Sequence, residues 1–153
     1  MGSYVWCLYA WQGIFVLMAT NNYLFVYGTL LNADNEFAIY LKNNCSFYAN
    51  GKFKGRLYDI GEYPGAIADN QYTGYVYGSI FLMNDAVSAL KYLDYYEGFG
   101  PEQEQPNLFI REIIEVESGK GLMKCWCYLY NLSVDGLPLI ISGDYWSYKK
   151  TSS

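Results

Sequence analysis

Two neighbouring segments of alternating apolar and polar residues constrain the fold of this chain more than any other feature. They are FIREIIEVE (109–117) and LMKCWCYLY (122–130), and the turn-forming residues SGKG lie between them. Alternation with a period of two places apolar side chains on one face of a strand. The spacing therefore predicts an antiparallel β-hairpin with one face packed against a core.

Strand-like patterns occur in three other places: NYLFVYG (22–28), GKFKGRLYDIG (51–61) and GYVYGSIFLM (74–83). The first is a nearly continuous apolar run, which is typical of a buried strand, and EYPGA (62–66) predicts a turn between the other two. NEFAIYLKN (35–43) predicts a short helix, and LIISGDYWSYKK (139–150) a covering strand with a frayed end. Because strands outnumber helices, we expect an α+β fold with a mixed, barrel-like β-sheet and one main helix.

The main helix is predicted to begin after an Asn84 cap and to end before Gly98. At about 100° per residue, one arc of its surface contains an apolar stripe and one carboxylate: Val87, Leu90, Leu93 and Glu97. A carboxylate that faces apolar surroundings tends to have a raised pKa, which makes it a candidate general acid or base. The alternative is that Glu97, in the last turn, bends its side chain past Gly98 into solvent.

The composition excludes several classes of function. The net charge is −5 and the basic residues are scattered, which argues against a nucleic-acid partner. The chain has no histidine, so Ser-His and Cys-His nucleophilic sites and histidine-containing zinc sites are excluded. The four cysteines lack CxxC spacing, and Cys125 and Cys127 share one strand face, where we expect them to be buried apolar residues. No metal or cofactor is expected.

The 153 residues suit one domain, because 52% are apolar and no linker divides the sequence. We place this single domain at residues 18–153. Residues 1–17 (MGSYVWCLYAWQGIFVL) are an extension of uncertain status, since they lack the positive charge of a signal peptide and the length of a membrane span. A start assigned too early, an uncleaved leader and an extra packing segment are the three interpretations.

Four motifs occur in a fixed order: YGTLL (27–31), GRLYDIGEYPG (55–65), LDYYEG (93–98) and NLFIREIIEV (107–116). In this order and spacing they resemble the gamma-glutamylcyclotransferase-like family, which includes the AIG2-like proteins and the gamma-glutamylamine cyclotransferases. The resemblance covers roughly residues 23–130. It implies the fold of that family and a cytoplasmic enzyme that needs neither a cofactor nor a membrane.

The implied reaction cyclises a small gamma-glutamyl compound to 5-oxoproline and releases an amine. The resemblance assigns Glu97 as the proton carrier, because the α-ammonium must lose a proton before attack and the leaving nitrogen must gain one. It assigns the backbone N–H groups of Tyr27, Gly28, Thr29 and Leu30 to the polar oxygens of the substrate. The motif form is closer to the gamma-glutamylamine branch, so a small gamma-glutamyl compound is expected rather than glutathione.

Four further residues are implied near the pocket: Tyr63, Gly65, Phe109 and Tyr128. Tyr63 and Gly65 match a family turn, although a tight turn is itself a reason for glycine. Many relatives have tyrosine followed two residues later by arginine, whereas this chain has Phe109 and Arg111, so the ring is kept and the hydroxyl is lost. Tyr128 is a candidate to restore a hydroxyl, and its alternative role is that of an ordinary strand tyrosine.

Two functions of other classes stay open at this stage. One is a ligand-binding module that keeps the pocket without turnover, which the loss of a hydroxyl at Phe109 favours. The other is a protein-interaction domain that uses exposed tyrosines such as Tyr92 and Tyr95.

Overall fold

Residues 21–28 and 35–152 are described by a computed structural model. The elements are, in chain order, β1 (Tyr23–Val26), α1 (Glu36–Asn44), β2 (Cys45–Asp59), β3 (Pro64–Ala68), β4 (Tyr75–Met83), α2 (Ala86–Glu97), β5 (Phe109–Ser118), β6 (Gly121–Tyr130) and α3 (Tyr145–Ser152). The expectations for residues 1–17, Thr29 and Leu30 lie outside the described residues. Within them, no helix combines the length and the apolar character that a membrane crossing requires.

The strands form a closed barrel with one additional strand. Their order is β3-β2-β4-β1-β6-β5, and β2 also pairs with β5, where Gly51 lies opposite Ser118. Five strands therefore form a ring, and β3 extends it as the antiparallel partner of the second half of β2. β1 is antiparallel to β4 and parallel to β6, so the sheet is mixed. The predicted α+β, barrel-like fold is confirmed, and α2 is the longest of the described helices.

The predicted hairpin is also confirmed. β5 and β6 pair without a register shift from Phe109 opposite Tyr130 to Ser118 opposite Gly121. Cys125 and Cys127 are both fully buried, and they belong to the apolar cluster that fills the barrel. Their role is that of small core residues, as their spacing on one strand face predicts.

β1 is buried on both faces, which explains why its sequence is apolar without alternation. Phe25 and Tyr27 belong to the cluster inside the barrel. Leu24 and Val26 belong to a second cluster, which α1 and α2 form against the outside of the barrel. The C-terminal end of β1 is therefore the place where the two cores and the end of α2 meet.

The start of the main helix corrects the sequence prediction. Its N-cap is Asp85, whose side chain accepts a hydrogen bond from the Ser88 N–H, and not Asn84. Val87 is 66% exposed, so it is not part of the buried stripe. Ala86 and Ala89 are buried in its place, in the same apolar cluster as Leu90 and Leu93.

Two other predicted elements are also wrong. The segment 62–66 is not all turn, because β3 begins at Pro64 and pairs with Asp59 at the end of β2. The tail ends in a helix, α3, and not in a covering strand. Asp144 explains the difference, since its carboxylate accepts a hydrogen bond from the Trp146 N–H at 3.1 Å and so caps the first turn.

Replacing Gly78 of β4 with alanine tests the close approach of β4 to β1. A Cβ at this position would lie 2.3 Å from the carbonyl oxygen of Val26, which as backbone has little freedom to move. We expect Gly78→Ala to lower the free energy of unfolding by about 1–3 kcal/mol in urea denaturation. Gly119→Ala is the matched control, because no atom lies within 4 Å of a Cβ there. Equal stability of the two variants would contradict this account of the barrel.

Candidate active site

A cavity of about 450 Å³ lies where the end of β1, the end of α2 and the start of β5 meet. Aromatic residues form most of its lining: Phe25, Tyr27, Phe37, Tyr63, Tyr96, Phe109 and Tyr128. Among the described residues that line it, Glu62 and Glu97 carry charge and none is basic. This is a concave, largely apolar site with a few polar groups, which is the usual form of a small-molecule pocket.

Glu97 lies in the last turn of α2, and the helix stops directly behind it. Gly98 adopts a left-handed conformation with φ of 73°, and its N–H bonds to carbonyls of the preceding turn. The Glu97 side chain is half-buried, and no described residue forms a hydrogen bond or ion pair with it. Burial raises the pKa of this carboxyl to about 7. Glu97 can therefore take up and release a proton near neutral pH.

The Tyr27 side chain holds the end of β1 in place. Its hydroxyl donates to the carbonyl oxygen of Tyr128 at 2.7 Å and accepts from the Ala66 N–H at 3.1 Å. Burial raises the pKa of Tyr27 well above its ordinary value, so the hydroxyl stays protonated. The side chain thus ties the end of β1 to β3 and β6.

Gly28 has a left-handed backbone with φ of 100°, and a Cβ there would lie 2.6 Å from Cγ of Pro64. The family resemblance assigns the backbone N–H of Gly28 to the substrate, which is one reason for a glycine at this position. The structure supplies a packing reason as well, because Pro64 occupies the space that a side chain would need. Gly28 lines a separate pocket of about 340 Å³ and not the cavity that contains Glu97.

Tyr63 and Phe109, two of the aromatic residues that line the cavity, pack against each other, and Tyr130 packs on Phe109 outside the lining. The ring centroids of Tyr63 and Phe109 are 6.0 Å apart, and those of Phe109 and Tyr130 are 5.8 Å apart, both edge to face. Gly65 does not line the cavity. A Cβ at Gly65 would lie 2.9 Å from Cβ of Tyr130, so this glycine lets β3 approach β6.

The Tyr128 hydroxyl is held by an ion pair. It donates to Oδ1 of Asp94 at 2.7 Å, and Arg111 donates to both oxygens of the same carboxylate, at 2.7 and 3.0 Å. Because β5 has no bulge, Arg111 is on the same strand face as Phe109, but its guanidinium is turned to Asp94. Sequence reasoning missed Asp94, although its position three residues before Glu97 on one helix is a signal that it shares that side of α2.

The structure brings together five of the predicted site residues: Tyr27, Tyr63, Glu97, Phe109 and Tyr128. Gly28 and Gly65 lie next to the cavity without lining it, and Thr29 and Leu30 lie outside the described residues. Asn35 and Tyr96 line the cavity and were not predicted. Asn35 has no distinctive sequence context, whereas Tyr96 lies in the LDYYEG motif directly before Glu97, which is a signal that could have found it. In the described part of the chain, no group of three or more acidic or cysteine side chains is placed to hold a metal ion.

Comparison with known proteins identifies the family. A family model described as "Gamma-glutamyl cyclotransferase, AIG2-like" matches residues 24–148. The chain is 31% identical over 129 residues to the gamma-glutamylcyclotransferase family protein YtfP of Escherichia coli strain K12, and this alignment covers 80% of the chain and 94% of YtfP. The protein therefore belongs to the AIG2-like gamma-glutamylcyclotransferase family.

Solved structures agree with this assignment. The solution structure of YtfP from Escherichia coli matches with a TM-score of 0.61 and 26% identity, over 83% of this chain and 98% of that one. The crystal structure of an AIG2-like protein from Mus musculus matches with a TM-score of 0.59 and 21% identity, over 76% of this chain and 84% of that one. The second likeness shows a shared fold.

The raised pKa of Glu97 predicts a pH-dependent change in stability. A carboxyl whose pKa rises from 4.5 to about 7 on folding stabilises the folded state fully below the unfolded pKa, and that contribution is lost as the pH rises through the folded pKa. Glu97→Gln has no charge to desolvate, so we expect it to match the parent at pH 4 and to exceed its free energy of unfolding by about 2–3 kcal/mol above pH 8. Urea denaturation across this range measures the difference.

Glu115→Gln is the control for this comparison, because Glu115 is exposed on β5. We expect Glu115→Gln to have nearly the free energy of unfolding of the parent, since replacing an exposed side chain removes no buried contact. A difference between Glu97→Gln and the parent that does not change with pH would show that burial does not raise the pKa of Glu97.

Proposed function

We propose that this protein is a gamma-glutamylcyclotransferase that cyclises a small gamma-glutamyl compound to 5-oxoproline and releases an amine, with Glu97 as the acid and base. The observation that supports it best is the half-buried Glu97 carboxyl, which faces an aromatic cavity and has a pKa of about 7. A proton-transfer group is most effective when its pKa lies near the working pH. Membership of the gamma-glutamylcyclotransferase family suggests the reaction, and the cavity beside Glu97 is where the substrate would bind.

In the proposed reaction Glu97 carries protons from the attacking nitrogen of the substrate to its leaving nitrogen. Its carboxylate takes a proton from the α-ammonium of the substrate, and the free amine nitrogen attacks the gamma-carbonyl carbon to form a new C–N bond. The protonated Glu97 then gives this proton to the leaving nitrogen, and the original C–N bond breaks. The regenerated carboxylate takes the second proton from the ring nitrogen and passes it to the departing amine, so 5-oxoproline keeps one N–H and the amine leaves as its ammonium. The rate of ring closure depends mainly on how the site orients the substrate, because the attacking and attacked atoms belong to one flexible molecule.

We assign the oxygens of the substrate to the backbone N–H groups that follow β1, from Tyr27 to Leu30. The support for this assignment is Tyr27, which lines the cavity together with Glu97 and whose side-chain hydroxyl is held by two hydrogen bonds; Gly28 follows it directly in the chain but lines the neighbouring pocket. Amides that are fixed before the substrate binds stabilise the developing oxyanion without further reorganisation.

The aromatic lining excludes water and contacts the methylene groups of the gamma-glutamyl chain. Tyr63 and Phe109 supply apolar surface, and Phe109 supplies no hydroxyl. In this proposal the hydroxyl oxygen of Tyr128 acts towards the substrate as a hydrogen-bond acceptor, because the proton of that hydroxyl is already donated to Asp94.

Glu97→Gln tests the catalytic role. We expect 5-oxoproline release from a panel of gamma-glutamyl amines to fall by about 100-fold or more, while binding of the same compounds, followed by thermal shift, persists. In the parent, kcat/KM should rise with pH to a plateau above about 7, since the base must be ionised. Glu115→Gln should retain parental turnover.

Two outcomes oppose this function. Binding without turnover in the parent would favour the ligand-binding module that Phe109 suggests. Undiminished turnover in Glu97→Gln would show that another group transfers the proton.

The charge of the cavity predicts substrate preference. No described residue of its lining is basic, and the nearby guanidinium of Arg111 is paired with Asp94. A leaving group with its own carboxylate therefore finds no cationic partner, and Glu62 and Glu97 repel it. We expect kcat/KM for a gamma-glutamyl alkylamine to exceed that for glutathione. A tenfold preference for glutathione, about 1.4 kcal/mol in transition-state binding, would refute this choice and leave the cyclotransferase assignment intact.

A further inference from the structure

Asn35 carries the only side-chain amide among the described residues that line the cavity, and the protein uses only the oxygen of this amide. Oδ1 accepts a hydrogen bond from the Ala38 N–H at 2.8 Å and so caps α1. This bond fixes the orientation of the carboxamide, because the amide nitrogen is not an acceptor. Nδ2 is therefore turned away from the Ala38 N–H, and no described residue accepts a hydrogen bond from it.

The first turn of α1 packs against the last turn of α2. Phe37 is buried, and its ring centroid is 5.1 Å from that of Tyr96, the residue directly before Glu97. Phe37, Tyr96 and Glu97 line the same cavity as Asn35. The contact between the two helices thus holds the Asn35 side chain and the Glu97 carboxyl in the wall of one cavity.

A gamma-glutamyl compound has three polar groups to place in this cavity: its α-ammonium, its gamma-carbonyl and its α-carboxylate. In the proposed reaction Glu97 takes a proton from the ammonium, and the backbone N–H groups after β1 stabilise the developing oxyanion. The α-carboxylate also needs hydrogen-bond donors, because burial of an unpaired charge is costly. No described residue of the lining is basic, and Glu62 and Glu97 oppose a further negative charge.

The other side-chain donors of the lining are less suited to this group. The hydroxyls of Tyr27 and Tyr128 already donate their protons within the protein. Tyr63 and Tyr96 are 38% and 39% exposed, and burial first, then neighbouring charges that include Glu97, raise their pKa. Their hydroxyls thus lie within the field of the Glu97 charge, which disfavours a second carboxylate there.

We propose that the Asn35 carboxamide binds the α-carboxylate of the substrate through Nδ2 and so selects compounds that carry a complete gamma-glutamyl group. This inference rests on the proposed function and names a residue that determines its substrate class. The side chain is fixed before the substrate binds, because its oxygen caps α1, and a fixed donor loses little conformational freedom on binding.

Asn35→Asp separates the two roles of this side chain. Aspartate caps a helix as well as asparagine does, so the variant should unfold at the same urea concentration as the parent. The substitution replaces the Nδ2 donor with a carboxylate oxygen, which repels the α-carboxylate of a ligand. Asn35→Ser is the second variant, because serine keeps a capping oxygen and removes the amide donor without adding charge.

The probes are 5-oxoproline and 2-pyrrolidinone, which share the lactam ring and differ only in the carboxylate. NMR titration of the full chain gives both dissociation constants. The parent should prefer 5-oxoproline, and Asn35→Ser should lose about tenfold in affinity for it, with a greater loss in Asn35→Asp. Affinity for 2-pyrrolidinone should be the same in the parent and both variants. Asn70→Asp is the control for added charge, because Asn70 is exposed in a turn outside the cavity, and it should bind both probes as the parent does.

Unchanged affinity of a folded Asn35→Asp for 5-oxoproline would reduce Asn35 to a helix cap and overturn the inference. An equal loss for both probes would show a distorted cavity and overturn it as well. If Asn35→Asp does not fold, Asn35→Ser decides by the same comparison.

The proposed function fails by a different measurement, since neither probe is turned over. Absence of 5-oxoproline release from gamma-glutamyl amines by the parent would refute the cyclotransferase. A selective loss of 5-oxoproline binding in the Asn35 variants of such a protein would still support Asn35 as the carboxylate-binding residue.

Discussion

The burial of β1 on both faces is the constraint on which the rest of the structure depends. One face of the strand completes the barrel core through Phe25 and Tyr27, and the other receives α1 and α2 through Leu24 and Val26. The strand therefore fixes the distance and direction between the barrel and the end of α2. The cavity exists because the strand ends there, and its lining contains residues from both cores.

Desolvation sets the pKa values of the ionisable groups in the site. The chain has no histidine, so the group that titrates near neutral pH in most proteins is absent. Burial beside aromatic rings moves a carboxyl into the same range, with Glu97 at about 7. The same burial opposes ionisation of the surrounding tyrosines and of Cys127. One environment thus keeps several neighbouring groups neutral while it prepares a single carboxyl for proton exchange.

Two acidic residues of one helix differ in their partners. Asp94 accepts three hydrogen bonds from Arg111 and Tyr128. Glu97, one turn later, has no partner among the described residues, and burial raises its pKa to about 7. A single helical turn therefore separates a carboxylate that joins α2 to β5 and β6 from one that faces the cavity without a partner.

The sequence by itself determined most of the strands, the β5–β6 hairpin, the end of α2 at Gly98 and the inward direction of Glu97, although it missed β3 and predicted a strand where α3 forms. These features depend on short-range periodicity and on glycine conformation, which local sequence encodes. The Asp85 cap was missed because Asn84 and Asp85 are adjacent polar residues and either can cap a helix. The α3 helix was missed because the β-branched Ile140 and Ile141 that precede it favour a strand. Only the tertiary structure decided that Arg111 pairs with Asp94, that Gly65 makes room for Tyr130 and that Gly28 packs on Pro64. Each of these contacts joins residues that are distant in the chain, and only barrel closure determines which distant side chains meet.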